Sequence, residues 1–485
     1  MQTLAPARKL DMLIGGSWSE SAGSYIDVSN PSDGDVLGRV PLCRAEEVDR
    51  AVRAAHKAFA VWRHVPVVER ARRLFPFTQL LEKNREELAR LICKENGKTL
   101  ADARAEVRRA IEMVEFACGM PSLLMGDSLE NIARDIDSQT IRQPLGVCVG
   151  ITPFNFPAMV PLWMYPIAVA AGNTFVLKPS QLTPLTAVRI AELFSHCDFP
   201  DGVLNLVHGE RETVEALICH PDTRAVSFVG SSGVAKSVQA MAIAHRKRVQ
   251  ALGGAKNFLV VMPDGVNETT VAGIMSSAFG GAGERCLAGS VVAAVGEAGE
   301  RLLPLIEHAC KRLSLGSATD EGTGMGPVIS AQAKARIERY IDEGIKSGAK
   351  LVHDGRAVQT PQGDGTFLGP TVFDHVDPNA SIAREEIFGP VLSIVRAPDL
   401  EAAIELANAS EYGNAASIFT QSGAAARVFS SRIETGMVGV NIGVAAPMAF
   451  FPFGGVKESM YGDTRVHGKD GVAFYTQQKV TIARW

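Results

Sequence analysis

The sequence predicts an α/β protein built from two parallel-sheet domains and a smaller β arm. Three observations carry that prediction. Short apolar runs at 147–151, 174–177, 203–207 and 225–229 are each followed by a helical stretch, the alternation of a parallel sheet with helices on both faces. A second set of runs follows at 258–262, 290–295, 391–395, 416–419 and 438–441, with helical segments over 331–347, 400–409 and 424–433 between them. A chain of 485 residues is also too long for one core.

Taken in order, residues 12–40 read as a short β segment with turns (IGGSW, NPSDG). From 46 to about 119 the spacing is helical: Val48, Val52, Ala55 and Phe59, then Leu88, Leu91 and Ile92, then Val107, Ile111 and Val114. Residues 130–142 are more polar and alternate, as a hairpin arm does. Residues 143–177 contain no charged side chain, but Pro144, Pro153, Pro157, Pro161 and Pro166 with Asn155 and Asn173 break the run. It therefore reads as two buried strands around a buried helix, not as a membrane span. Residues 471–484 (VAFYTQQKVTIAR from 472) alternate as a strand, which at a chain end suits pairing with another subunit.

Composition sets outer limits. Charged residues make up 21% and hydrophobic ones 46%, and 49 Lys+Arg against 53 Asp+Glu leave a net charge of −4. Nothing basic clusters enough for nucleic acid; the densest run, HRKR at 245–248, reads as a solvated helix end. The eight cysteines show neither C-x-x-C nor metal-ligand spacing, so free thiols, a reducing compartment and no metal are expected. The opening MQTLAPARKL lacks an apolar signal core and is short for a transit peptide, so the expected location is cytoplasmic.

The chemistry is expected at residues 279–290, FGGAGERCLAGS. Any one cysteine taken blindly is most simply a buried structural residue. Cys286 alone sits among small residues (Gly280, Gly281, Ala282, Gly283, Ala288) and directly after Arg285. Small residues leave backbone N–H groups open to a developing oxyanion, and the adjacent guanidinium is expected to favour the thiolate. Ligands in parallel α/β sheets sit at the carboxyl ends of strands. Three segments are therefore cofactor candidates: 152–157 (TPFNFP), 178–181 (KPSQ) and 230–233 (GSSG). There is no G-x-G-x-x-G, but GSSG follows a strand and opens a helical stretch, where N–H groups can meet phosphate. Lys178 taken alone reads as a surface lysine at a strand end.

Together the motifs PFNFP (153–157), KPS (178–180), FVGS (228–231), GERC (283–286) and EEIFGP (385–390) resemble the aldehyde dehydrogenase superfamily over almost the whole chain. The resemblance implies an aldehyde dehydrogenase-like fold. Its parts would be an NAD-binding domain (1–125 and 145–254), a catalytic domain (255–457) and a bridging oligomerisation arm (126–144 and 458–485) that builds a homodimer or homotetramer. It implies Cys286 as nucleophile and Asn155 as oxyanion donor. It places the cofactor against Thr152, Phe154, Lys178, Gln181, Leu182, Ser231, Gly253, Glu386 and Phe388, with Glu386 on the nicotinamide ribose. Within the superfamily the chain looks most like the CoA-acylating methylmalonate-semialdehyde dehydrogenase branch, through 154–166, 260–264 and the ending FYTQQKVTIARW. That likeness implies malonate or methylmalonate semialdehyde as substrate, coenzyme A as co-substrate, and Arg109 and Arg285 as holders of the substrate carboxylate. Arg109 rather than Arg108 rests on the flanking match VRRAIEMVEFAC.

Two departures matter. The position 34 residues before Cys286, where hydrolytic members carry a glutamate base, is Leu252, and a shift by one gives Ala251. Without a carboxylate, water lacks its general base, whereas a thiol of pKa about 8.5 is already a few per cent thiolate at pH 7. Gln181 stands where NAD-preferring relatives often have glutamate, which leaves NADP open beside NAD, and Leu182 stands where close relatives have a polar residue. The alternatives are a hydrolytic NAD(P)-dependent enzyme for another aldehyde and a catalytically silent family member.

Overall fold

The computed structural model of the protein describes residues 8–357 and 365–485. Residues 1–7, on which most of the leader reading rests, lie outside the described residues. Two large sheets dominate. The first has eight strands, with Val147–Ile151 at its centre between Thr174–Lys178 and Thr223–Val229, both parallel to it. Leu204–Leu206 continues the parallel order on one side and Arg248–Leu252 on the other. The chain leaves the central strand and returns to opposite sides of it, which opens a crevice at the carboxyl ends. All five residues of Val147–Ile151 and of Thr174–Lys178 are buried, so apolar runs rather than alternation mark them.

The second sheet has seven strands and is parallel except at Lys350–His353. It carries Asn257–Val261, Gly289–Val295 and Val391–Ala397 in its middle, and Ala415–Phe419 and Met437–Val440 towards one edge. Between the first sheet's central strands, Met159–Ala170 is a helix buried along nearly all its length. The uncharged run is thus a strand, a helix and a strand. No helix among the described residues is long and apolar enough to cross a membrane.

Several local readings change. Arg248–Leu252 is a strand, so HRKR spans a helix end and a strand start instead of a helix end alone. Its basic first residue, directly after Arg246 and Lys247, masks the apolar signal. Residues 471–484 are not one strand: Gly468–Phe474 is a helix, and the strand is Thr476–Arg484. Nor do residues 458–475 lie in the arm. Met460 and Tyr461 pair with Leu252 and Ala251 at the edge of the first sheet. The arm is a separate three-stranded antiparallel ribbon of Thr476–Arg484, Ile136–Pro144 and Ser128–Ala133. Leu129, Ile132, Ile141, Val480 and Ile482 stand exposed on it.

Candidate active site

The chain enters the cysteine loop through a left-handed turn. Gly281, Ala282 and Gly283 have φ of 57°, 53° and 74°, which swings the backbone off the helix Glu268–Phe279. A Cβ on Gly283 would stand 2.2 Å from the Gly389 carbonyl oxygen, so only glycine lets this turn rest on the EEIFGP segment. Two side-chain amides stake the next bend: Asn257 and Asn414 both donate to the Cys286 carbonyl, at 2.9 and 2.8 Å. The glycines do not leave the N–H groups free, as the sequence suggested. A Cβ on Gly280 would meet the Arg285 guanidinium at 2.5 Å, and the Gly281 N–H donates to Asp102. They make room for an ion pair.

That pair also changes the electrostatics expected of Arg285. Its Nη2 donates to Asp102 at 2.5 Å, so a carboxylate answers the charge that was to favour the thiolate. Burial pushes the Cys286 thiol up to about 12 and Glu386 pushes in the same direction; its own N–H, Arg285 and the Leu287 N–H pull it only partly back. Cys286 is therefore a thiol in the free protein. Glu386 itself is raised to about 7 by burial, against the Ala255 N–H and Lys256, which pull it down. At a pH above that value, Glu386→Gln removes a negative charge beside the sulfur and lowers the thiol pKa. Half a unit would raise the thiolate fraction about threefold. Alkylation of Cys286 by iodoacetamide should quicken by that factor, followed by peptide mass; an unchanged rate would mean that Glu386 does not act on the sulfur.

Cys286 lies where two cavities meet. One, of about 860 Å³, runs from the cysteine along the carboxyl ends of the first sheet. The other, of about 230 Å³, reaches Cys286 past the helix Leu100–Cys118. Asn155 borders the larger cavity and is buried, its Nδ2 donating to the Glu284 carbonyl at 2.9 Å. The loop that carries it is held from below. Lys98, which sequence reasoning missed, donates to the Asn155 carbonyl and to Glu106 at 2.6 Å. Glu106 accepts the Ala158 and Met159 N–H groups. Asn96 and Thr183 donate to the Phe154 carbonyl. No short-range spacing announces Lys98 and Glu106, because they sit on either side of a helix start.

The larger cavity gathers the predicted cofactor residues. Thr152, Phe154, Lys178, Gln181 and Leu182 line it from the ends of the two central strands. Ser231, Gly253, Glu386 and Phe388 line the opposite side. Lys178 is buried, not on the surface, and burial lowers it to about 8, with Glu210 pulling it back up. The buried Thr152 hydroxyl has no partner among the described residues. Ser231 precedes the helix Ser232–Ala244 without capping it, so the helix N-terminus stays open to an anion. Gly254 is needed beside Glu386: a Cβ there would lie 2.3 Å from its carboxylate. Phe388, at φ 52°, packs edge-on to Phe154 with 5.8 Å between ring centroids. An elongated cavity with an orphaned hydroxyl, a buried ammonium and an open helix N-terminus fits a dinucleotide. Lys256 and Arg336 fix the Glu386 segment by donating to the Glu385 and Ile387 carbonyls.

Arg109 and Arg285 both line the smaller cavity. Arg109 donates to Glu112 at 3.1 Å and to the Pro447 carbonyl at 2.5 Å. Arg108 points elsewhere, into surface ion pairs with Glu82 and Glu115. Leu252 and Ala251 are buried in apolar packing and put no carboxylate at the cysteine. No cluster of metal-ligating side chains occurs among the described residues.

Comparison with known proteins agrees with this geometry. Residues 18–481 match the model of the aldehyde dehydrogenase family. Malonate-semialdehyde dehydrogenase 3 of Geobacillus kaustophilus is 53% identical over 483 residues, covering 99% of this chain and 100% of that protein. The crystal structure of a methylmalonate-semialdehyde dehydrogenase from Oceanimonas doudoroffii superposes with TM-score 0.97 at 44% identity, over 99% of this chain and 98% of that one. A Sinorhizobium meliloti protein assigned to the same activity and solved with NAD gives TM-score 0.97 at 42% identity, over 100% and 99% of the two chains.

Proposed function

The chain belongs to the aldehyde dehydrogenase family, and on that premise we propose that it oxidises malonate or methylmalonate semialdehyde with NAD and passes the acyl group to coenzyme A. The observation that carries this reading is Cys286 at the meeting point of a dinucleotide-sized cavity and a small second cavity lined by two arginines, with no carboxylate at Ala251 or Leu252.

The chain's residues divide the work. The Cys286 thiol gives up its proton to solvent through the cavities it borders as its sulfur bonds to the aldehyde carbon. The Asn155 amide and the Cys286 N–H hold the resulting oxyanion, which is where preorganised donors lower a barrier most. Bound NAD supplies the hydride acceptor. Thr152, Lys178 and Ser231 hold its polar groups, Glu386 accepts from a ribose hydroxyl, and Phe388 with Phe154 walls the nicotinamide. Gln181 places no charge against a 2′-phosphate, but Glu210 borders the same cavity and supplies one, which favours NAD. Loss of the hydride leaves a thioester on Cys286. The thiol of coenzyme A attacks that thioester and frees the cysteine. Arg109 and Arg285 set the substrate's carboxylate end, which leaves as carbon dioxide, so that the products are acetyl-CoA or propanoyl-CoA.

The exposed apolar ribbon supports assembly into a homodimer or homotetramer, because a three-stranded sheet cannot bury both of its faces on its own chain. The substrate reading is tested by NADH formation from malonate semialdehyde with and without coenzyme A, with the product identified by mass. Dependence on coenzyme A and a decarboxylated acyl-CoA product are expected. Steady turnover to a free acid without coenzyme A would overturn the acylating reading.

A further inference from the structure

The smaller cavity holds a polar group that the mechanism leaves without a task. His467 lines it together with Cys286, Arg109 and Arg285. The ring is 4% exposed, and neither Nδ1 nor Nε2 has a hydrogen-bond partner among the described residues. A buried donor left unpaired costs free energy, so a partner from outside the chain is called for. The ring is fixed from both sides. It stands edge-on to Trp163, with 4.5 Å between centroids and 83° between planes, and tilted against Phe453 at 5.5 Å. Its backbone is held as tightly: His467 has φ 72° and Gly468 φ 54°, and the Gly468 N–H donates to the Ala449 carbonyl. A bulky residue in the left-handed region is kept there only when its surroundings dictate it.

The two guanidinium groups beside it are already answered. Arg285 is paired with Asp102, and Arg109 with Glu112 and the Pro447 carbonyl. The imidazole is the polar group left with unused capacity. Burial and the Arg109 charge lower it to about 3, so it is neutral at working pH and offers one N–H donor.

The geometry points to His467 as a specificity residue: its N–H donates a hydrogen bond to the carboxylate end of a short 3-oxo acid whose aldehyde carbon lies at Cys286. The assignment rests on the semialdehyde reading of the substrate and adds to it the group that tells the acid from a plain aldehyde. Arg109 and Arg285, each paired with a carboxylate that lines the same cavity, bound the site; His467 supplies the free donor and its direction.

The test compares His467→Phe, which keeps the ring's volume and edge contacts but has no N–H, with His467→Gln, which restores a neutral donor. In the purified holoenzyme, KM for malonate semialdehyde should rise about 10-fold or more in the Phe variant, the loss of one hydrogen bond to a charged group. Its kcat/KM for propanal should stay within about twofold, and the Gln variant should recover most of the loss. Equal losses on both substrates, or no change in KM for the acid, would overturn the assignment. If the Phe variant does not fold, His467→Leu, which also lacks a donor, takes its place: malonate inhibition of propanal oxidation weakened about 10-fold with propanal turnover kept supports the hydrogen bond, and inhibition equal to wild type overturns it. Wild-type enzyme that oxidises propanal but not malonate semialdehyde would remove the substrate reading, and this assignment with it, before any variant is compared.

Discussion

Cys286→Ala is expected to cut NADH formation by at least about 10⁴-fold, the usual scale when a covalent nucleophile is removed. The substitution takes away one sulfur atom at the cavity wall and little else. The loop's shape depends on its backbone, because Asn257 and Asn414 hold the Cys286 carbonyl and the glycine turn precedes it. The thermal midpoint and NAD binding should therefore stay near wild type. Two measurements make the result specific. Wild type given substrate and NAD without coenzyme A should carry an acyl adduct in its intact mass, and the Ala variant should carry none. Residual turnover above a tenth of wild type would mean that the carbonyl is attacked by something other than this sulfur.

The second large effect is expected at a residue that touches no substrate. Glu106→Ala leaves the Lys98 ammonium buried and unpaired, and breaking a buried pair from one side costs about 3–5 kcal/mol. The pair's side chains are 5% and 0% exposed, so water cannot take the lost partner's place. Denaturant unfolding should show the loss directly. Lys98→Met with Glu106→Leu should recover much of that stability, since an apolar pair of similar volume often replaces a buried ion pair without loss. Its kcat should remain about 10²-fold down, because the Asn155 carbonyl has lost its lysine and the Ala158 and Met159 N–H groups their carboxylate. A double variant with wild-type kcat would reduce the pair to a stabilising contact.

Much of the architecture was legible where burial is complete. The strands at Val147–Ile151, Gly289–Val295 and Val391–Ala397 announce themselves because both faces are covered and every position but Arg396 is apolar or small. The signal fails where an element is short, charged or at an edge. Arg248–Leu252 opens on an arginine, and Thr371–Asp374 ends on an acid that Arg396 neutralises from the neighbouring strand. The tail misleads differently: helix Gly468–Phe474 is about two turns long, and its apolar end Val472–Phe474 runs on into the alternating strand pattern. The candidate site followed the same logic. Cys286, Asn155 and Glu386 lie in motifs, and the cavity gathers them. Asp102, Lys98, Glu106 and His467 lie in none. Each matters through a partner far along the chain, and distance in sequence hides it.

The closing of the first sheet by the chain's end has a consequence for synthesis. Residues 251–252 pair with Met460 and Tyr461, Asn173 donates to the Tyr475 carbonyl, and Thr476–Arg484 zips along Ile136–Pro144. The first sheet emerges from the ribosome early but waits for Met460 and Tyr461 to be translated. The second sheet, from Asn257–Val261 to Met437–Val440, has all its strands in hand sooner. The later-made domain can thus complete first, and the earlier one stays open, its uncharged stretch exposed, until Met460 and Tyr461 have followed. Removal of Thr476–Arg484 would in this way act on its partner strand Ile136–Pro144, far earlier in the chain, and not only on the segment removed.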